Sequence, residues 1–201
     1  MWRILACKNC GSAIAEAMLT LAGIPYEREE QNYSKPEARE VLLRYNPLAQ
    51  VPTVILPDGE VMTETAAIAL SLDERVPAAK LLPPVGDPHR PEAQRWLVFL
   101  VAAVYPTFTY GDEPEKWGCG KELRDSTNAH REKLWRYLEG VARGPWFLGE
   151  QRSVLDLYIS VMSRWRPDRA WFTEYAPKLA AIANEVDHDA RLEHVWRLNF
   201  G

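Results

Sequence analysis

Long apolar runs, excess positive charge and an even set of cysteines are all missing from this chain of 201 residues. The longest uninterrupted apolar stretch is Trp96–Tyr105. A bilayer needs ~20 such residues, so no membrane span is expected. Near the start, Lys8, Asn9 and Glu16 break up any signal-peptide core, and a soluble, cytoplasmic protein is expected. The formal net charge is −4. Residues 1–77 carry 7 Lys and Arg against 11 Asp and Glu, and residues 78–201 carry 17 against 17. No segment is strongly basic, which argues against nucleic acid as a partner. Three cysteines cannot all pair within one chain, which excludes a disulfide scaffold. There is no glycine-rich phosphate loop, no nucleophile elbow, no repeat and no low-complexity tract. His188 and His194 stand beside Asp189 and Glu193, but not at the i, i+4 spacing of a helical zinc pair, and no metal is expected.

What is present is a core: 47% of the residues are apolar, among them eight Trp and eight Tyr. "WRILA" reads as a buried first strand. A turn holding Cys7 and Cys10 follows, and then Ile14, Ala17, Met18 and Leu21 recur at helical spacing up to Gly23. "YEREEQN" reads as a second strand whose charges on Glu27, Arg28, Glu29 and Glu30 suit a solvated edge. A helix is expected from Pro36 to before Pro47. Thr53–Leu56 and Glu60–Met62 read as a hairpin around Pro57-Asp58-Gly59. Thr63 or Thr65 is placed to cap the following helix, "TAAIALSLDERV".

Pro77, Pro83, Pro84 and Pro88 then crowd a stretch that suits a linker. Everything beyond is helical in pattern, and Ser153-x-x-Asp156 resembles a capping box with Asp in place of Glu. Pro106 is expected to kink or end its helix. The expected layout is a small α/β domain at 1–77, a linker at 78–90 and an all-helical domain at 91–201.

Residues 46–77, "NPLAQVPTVILPDGEVMTETAAIALSLDERVP", resemble the glutathione-binding motif of the cytosolic glutathione transferases. The family pattern is Asn-Pro, Val-Pro, a strand, Asp-Gly, a second strand, then Thr-Glu-Ser with Ala-Ile. Thr65 stands for that Ser, and Ala49 where many members have Gly. With "SVLD" at Ser153–Asp156, the resemblance spans essentially the whole chain.

The resemblance implies a thioredoxin-like first domain that binds glutathione as co-substrate. It also implies a helical second domain that lines the site of an apolar electrophile, and a homodimer. Val51 would pair with the cysteinyl backbone of glutathione, turned by a cis bond to Pro52. Thr65, at a positive helix end, would hold the γ-glutamyl carboxylate, and Glu64 the ammonium. Gln50 would meet the peptide backbone or glycyl end. As ordinary residues, Thr65 would merely cap and Glu64 would be an exposed acid.

The family places Tyr, Ser or Cys at the sulfur, in the turn after the first strand. This turn has no Tyr; Cys10 and Ser12 are the catalytic candidates, with Asn9 third and Cys7 the weaker half of the Cys-x-x-Cys. In bacterial members with a catalytic Cys, that residue falls where Gly11 stands here. Such a donor would lower the thiol pKa from ~8.5, a modest gain because a less basic thiolate is also less nucleophilic. Tyr105, Phe108, Tyr110, Trp117 and Trp165 would form the electrophile pocket, or simply pack helices. The expected function is addition of the glutathione thiolate to an electrophile. A thiol–disulfide oxidoreductase using Cys10 and a non-catalytic glutathione-binding module remain open beside it.

Overall fold

A computed structural model describes residues 1–201. The chain divides into two compact units, one made of Met1–Leu81 with Asp187–Gly201 and the other of Leu82–Val186. The all-helical domain expected at 91–201 thus loses its last segment to the first unit. Periodicity had shown those residues to be helical, but not where the helix docks.

In the first unit, strands β1 (Trp2–Ala6), β2 (Tyr26–Glu30), β3 (Thr53–Ile55) and β4 (Val61–Met62) form one sheet in the order β2-β1-β3-β4. β1 and β2 are parallel, with Ala6 opposite Glu30. β3 runs antiparallel to β1, with Leu5 opposite Thr53, and β4 antiparallel to β3, with Val54 opposite Met62. The hairpin turns where sequence chemistry put it: Gly59 has φ 91°, and Asp58 Oδ1 accepts from the Glu60 N–H at 3.0 Å.

Helix α1 (Ser12–Leu21) is buried at every residue from Ser12 to Leu19, including Glu16. A helix apolar almost all round belongs inside a unit, and this one packs on helix α3 (Thr65–Arg75) and the terminal α10 (Glu193–Phe200). Helix α2 (Pro36–Leu43) opens on its proline, as expected. No side chain caps α3. Neither Thr63 nor Thr65 acts as its cap; Glu64 occupies that position at φ 60°, ψ 105°, and Thr65 is the first helical residue.

The second unit contains α4 (Arg90–Phe99), α5 (Tyr105–Asp112), α6 (Lys121–Val141), α7 (Val154–Met162), α8 (Arg169–Tyr175) and all but the last residue of α9 (Pro177–Asp187). Pro106 does not end its helix. A π-helical stretch, Leu100–Val104, directly precedes α5. Proline has no N–H to give, and its ring clashes with the carbonyl four residues back. A wider turn there accommodates both defects.

Arg131 of α6 is fully buried. Its Nε donates to Thr107 Oγ1 at 2.8 Å, its Nη2 to the Thr107 carbonyl at 2.6 Å and its Nη1 to the Arg166 carbonyl at 2.8 Å. Burial lowers its pKa to about 10. Nearby, α5 approaches α6 at Gly111, where an added Cβ would run into the Thr127 hydroxyl and come to 3.3 Å from Arg131 Nη2. Gly111→Ala is therefore expected to lower unfolding free energy by about 1–3 kcal/mol. Urea denaturation checks it; an unchanged midpoint would mean that α5 and α6 slide apart freely.

Candidate functional site

Four segments of the first unit reach one edge of the sheet, and strand register alone puts them there. The C-terminal end of β1 lies opposite the start of β3, so the turn at 7–11 and the Val51-Pro52 segment share that edge. β4 ends beside the start of β3, which brings Thr63–Thr65 to the same edge. β2 ends there too, leading into Tyr33.

The Val51-Pro52 bond is cis. Val51 is half-buried against Leu5, Leu42, Ala49 and Ile55, while Pro52 is buried. The main chain before it is fixed, because the Gln50 carbonyl accepts from Thr53 Oγ1 at 2.8 Å and Asn46 Nδ2 at 3.3 Å. The residue Gln50 itself is exposed. Ala49 sits at φ 52°, in the left-handed region that favours glycine, which accounts for the glycine many family members carry there.

At the start of α3, the first intrahelical bond runs from the Ile68 N–H to the Glu64 carbonyl at 3.0 Å. The N–H groups of Thr65, Ala66 and Ala67 precede it, as at any helix start. No side chain covers them. Thr65 is half-buried and Glu64 exposed beside it. This start offers N–H donors and a hydroxyl to an anion, with a carboxylate alongside for a cation.

The turn after β1 holds two free thiols, Cys7 buried and Cys10 half-buried. α1 begins at Ser12, so Cys10 precedes the helix instead of opening it. Cys10 Sγ donates to the Lys8 carbonyl at 3.2 Å and lies 3.9 Å from the Tyr33 hydroxyl. Burial pushes the Cys10 thiol up to about 12, helped by a hydrogen bond with Cys7, and only Tyr33 pulls it down. Cys10 therefore stays protonated, as an S–H donor. Asn9 holds the turn at φ 57°, and its N–H donates to the Asn199 carbonyl at 3.1 Å.

Ser12 departs from expectation. It is fully buried, its Oγ donates to the Cys7 carbonyl at 3.0 Å, and it accepts from the Cys7 N–H at 3.1 Å. The hydroxyl is occupied in closing the turn and offers no donor to a ligand's sulfur.

The N-terminal domain model of the glutathione S-transferases matches residues 12–75. The uncharacterized GST-like protein YncG of Escherichia coli K12 is 41% identical over 99% of this chain and 98% of its own. The chain belongs to the glutathione transferase family. Its fold is the family's: the glutathione transferase of Methylococcus capsulatus aligns at TM-score 0.84 with 22% identity, over 99% of this chain and 98% of the other. A sphingomonad glutathione S-transferase solved with glutathione aligns equally, at TM-score 0.84 and 24% identity over 98% of both chains.

In this transferase-family chain the five aromatics expected to line an electrophile pocket fall into two groups within the second unit. Tyr105, Phe108 and Trp165 meet edge to face, with Phe108 and Trp165 centroids 5.1 Å apart. Phe108 is buried, with the Arg131 guanidinium 3.8 Å from its ring centre, so it packs inside the unit instead of lining an open pocket. Tyr110 and Trp117 form a separate, exposed pair at 4.7 Å.

Three further residues had no signal in the sequence. Glu16 is fully buried in α1, accepting from Arg28 Nε at 2.9 Å and Asn199 Nδ2 at 3.1 Å. Burial raises its pKa, against the pull of Arg28 and Asn199. Arg28 also reaches Glu30 at 2.6 Å. The charges of β2 are thus not merely a solvated edge; one of them turns inward to Glu16. No three His, Cys, Asp or Glu side chains are grouped so as to hold a metal ion.

Proposed function

We propose that the protein binds glutathione on its first unit and adds the thiolate to an apolar electrophile. The uncapped start of α3, with Thr65 at its first position and Glu64 beside it, carries this reading. It presents the donors that an α-carboxylate needs and an acceptor for the neighbouring ammonium, which together recognise a γ-glutamyl group. The Val51 main chain then pairs with the cysteinyl residue, and Gln50 meets the peptide beyond it. That run directs the sulfur toward the turn of Asn9 and Cys10. A protonated Cys10, which sits before α1 and can turn its S–H from the Lys8 carbonyl, donates it to the glutathione thiolate and favours that ionised form. In the reaction the sulfur forms a bond to the electrophilic carbon; a leaving group departs with its electron pair, or, where there is none, the π pair of an activated double bond moves onto its electron-withdrawing group and is protonated by water. Within the second unit, Tyr105 and Trp165, and separately Tyr110 and Trp117, offer apolar surface of the kind an electrophile needs.

The disulfide-reductase reading has less support, because Cys10 lies before the first residue of α1 instead of opening the helix, and burial raises its thiol pKa. Conjugation of a chloronitrobenzene against reduction of a mixed disulfide separates the two, and glutathione binding without either leaves a binding module. Thr65→Ala tests the site itself. Loss of one charge-assisted bond is expected to weaken glutathione by about 1–2 kcal/mol, or roughly five- to thirty-fold in Kd. Unchanged affinity by calorimetry, in a folded variant, would remove Thr65 from the site.

A further inference from the structure

Two adjacent N–H groups of the turn after β1 are held from opposite sides. The Lys8 N–H donates to Glu30 Oε1 at 3.2 Å, and the Asn9 N–H to the Asn199 carbonyl at 3.1 Å. These two anchors are joined through the interior of the first unit. Glu30 accepts from Arg28, Arg28 donates to Glu16, and Glu16 accepts from the side chain of Asn199. Asn199 Nδ2 also donates to the Val195 carbonyl at 3.0 Å, which fixes the amide on the last turn of α10. A closed circuit therefore runs from the turn, through β2 and α1, to α10 and back to the turn.

We propose that Glu16 and Asn199 are positioning residues for the sulfur-facing turn, setting where Cys10 meets the thiol of bound glutathione; this rests on the glutathione reading above. Neither residue reaches a ligand itself, since both are buried. Packing alone gives little reason for the circuit. A buried ion pair is seldom more stabilising than apolar side chains of the same volume, and the rest of buried α1 is almost entirely apolar. Two atoms of the circuit, Arg28 Nη2 and Asn199 Oδ1, are buried without a protein partner, which a network selected for stability alone would avoid. What the circuit does achieve is directional. It fixes consecutive N–H groups of a turn whose Asn9 is in the left-handed region, and so the direction in which the next residue, Cys10, leaves the chain.

The test follows the ionisation of bound glutathione by ultraviolet difference absorbance across pH, together with its Kd and each variant's thermal midpoint. In Asn199→Ala the freed last turn of α10 loosens the Asn9 anchor. The bound thiol's pKa is expected to rise enough to cut the thiolate fraction at pH 7 at least threefold, while Kd changes less than twofold, because the γ-glutamyl contacts at Glu64 and Thr65 are untouched. Glu16→Gln cannot accept from Arg28 and Asn199 together, and is expected to shift the thiol the same way. As a near-isosteric change, it decides the matter where Asn199→Ala does not fold. Leu198→Ala, on the exposed side of α10, is expected to move neither quantity. A merely structural role predicts a lower midpoint and an unmoved thiol pKa in the folded variants, and that result overturns the proposal. An equal shift in Leu198→Ala overturns it too. A wild type that binds no glutathione overturns this proposal and the reading beneath it together, whereas variants that bind with an unmoved thiol overturn this proposal alone.

Discussion

Asp156→Ala is expected to remove roughly 4 kcal/mol of unfolding free energy, on the basis of two buried backbone donors left unpaired at about 1–3 kcal/mol each and a lost cap. The carboxylate accepts from the Phe147 N–H at 2.8 Å, the Ser153 N–H at 2.6 Å and the Ser153 hydroxyl at 3.3 Å. One residue thus closes the capping box of α7 and ties down the loop before it. Asp156→Asn keeps one acceptor oxygen and is expected to lose less. The two also differ in pH dependence. Burial pushes the Asp156 carboxyl up to about 6 from an ordinary 3.8, against three hydrogen bonds that favour the anion. The folded state therefore holds a proton that the unfolded state releases. Between pH 3.8 and 6, wild-type stability should fall, relative to Asp156→Asn, as pH rises, and level off above that window. Urea unfolding across pH measures both. Parallel profiles would show that Asp156 titrates alike in the two states, and a loss in Asp156→Ala within 1 kcal/mol would show that the loop finds other partners.

Elements whose cause lies within a few residues are legible in the sequence. Pro57-Asp58-Gly59 dictated a hairpin, and Asp58 and Gly59 hold it by their own hydrogen bond and positive φ. Ser153 and Asp156 formed the capping box that their spacing announced. The start of α3 at Thr65 was legible for the same reason: a hydroxyl at a helix start is a local pattern. What stayed hidden depended on direction or on distance along the chain. Ser12 was visible as a hydroxyl near the helix mouth, yet its rotamer points it back at Cys7. Glu16 looked like one acid in a helical pattern, and its partner Asn199 lies 183 residues away. Arg28 stood among three glutamates in a strand that alternates inward and outward, and nothing in "YEREE" said which face would find a buried carboxylate. Pro106 would kink or end a regular helix, whereas the π-helical stretch before it changes which carbonyl the ring meets.

Glu64→Gly is expected to do two opposite things. At φ 60° and ψ 105°, Glu64 lies where L-residues with a Cβ are strained. Such a conformation costs of order 1–3 kcal/mol, while glycine adds about 0.5–1 kcal/mol of chain entropy to be lost on folding. The variant should therefore gain about 1 kcal/mol of stability or hold level. Glu64 is exposed and has no capping bond to lose, so nothing in the folded state offsets that gain. Glutathione should meanwhile bind about ten- to a hundred-fold more weakly, the equivalent of one hydrogen bond between charged partners at ~1.5–3 kcal/mol. Glu64→Ala separates the two causes, since it removes the carboxylate and keeps the strain: affinity should fall equally, without the gain in stability. Calorimetry with glutathione and urea denaturation on the two variants give the four numbers required. Equal affinity in all three proteins would mean that the carboxylate faces away from the ammonium and that the strained backbone serves only to start α3. A loss in Glu64→Gly alone would instead assign the binding role to the fixed backbone, because only that variant relaxes it.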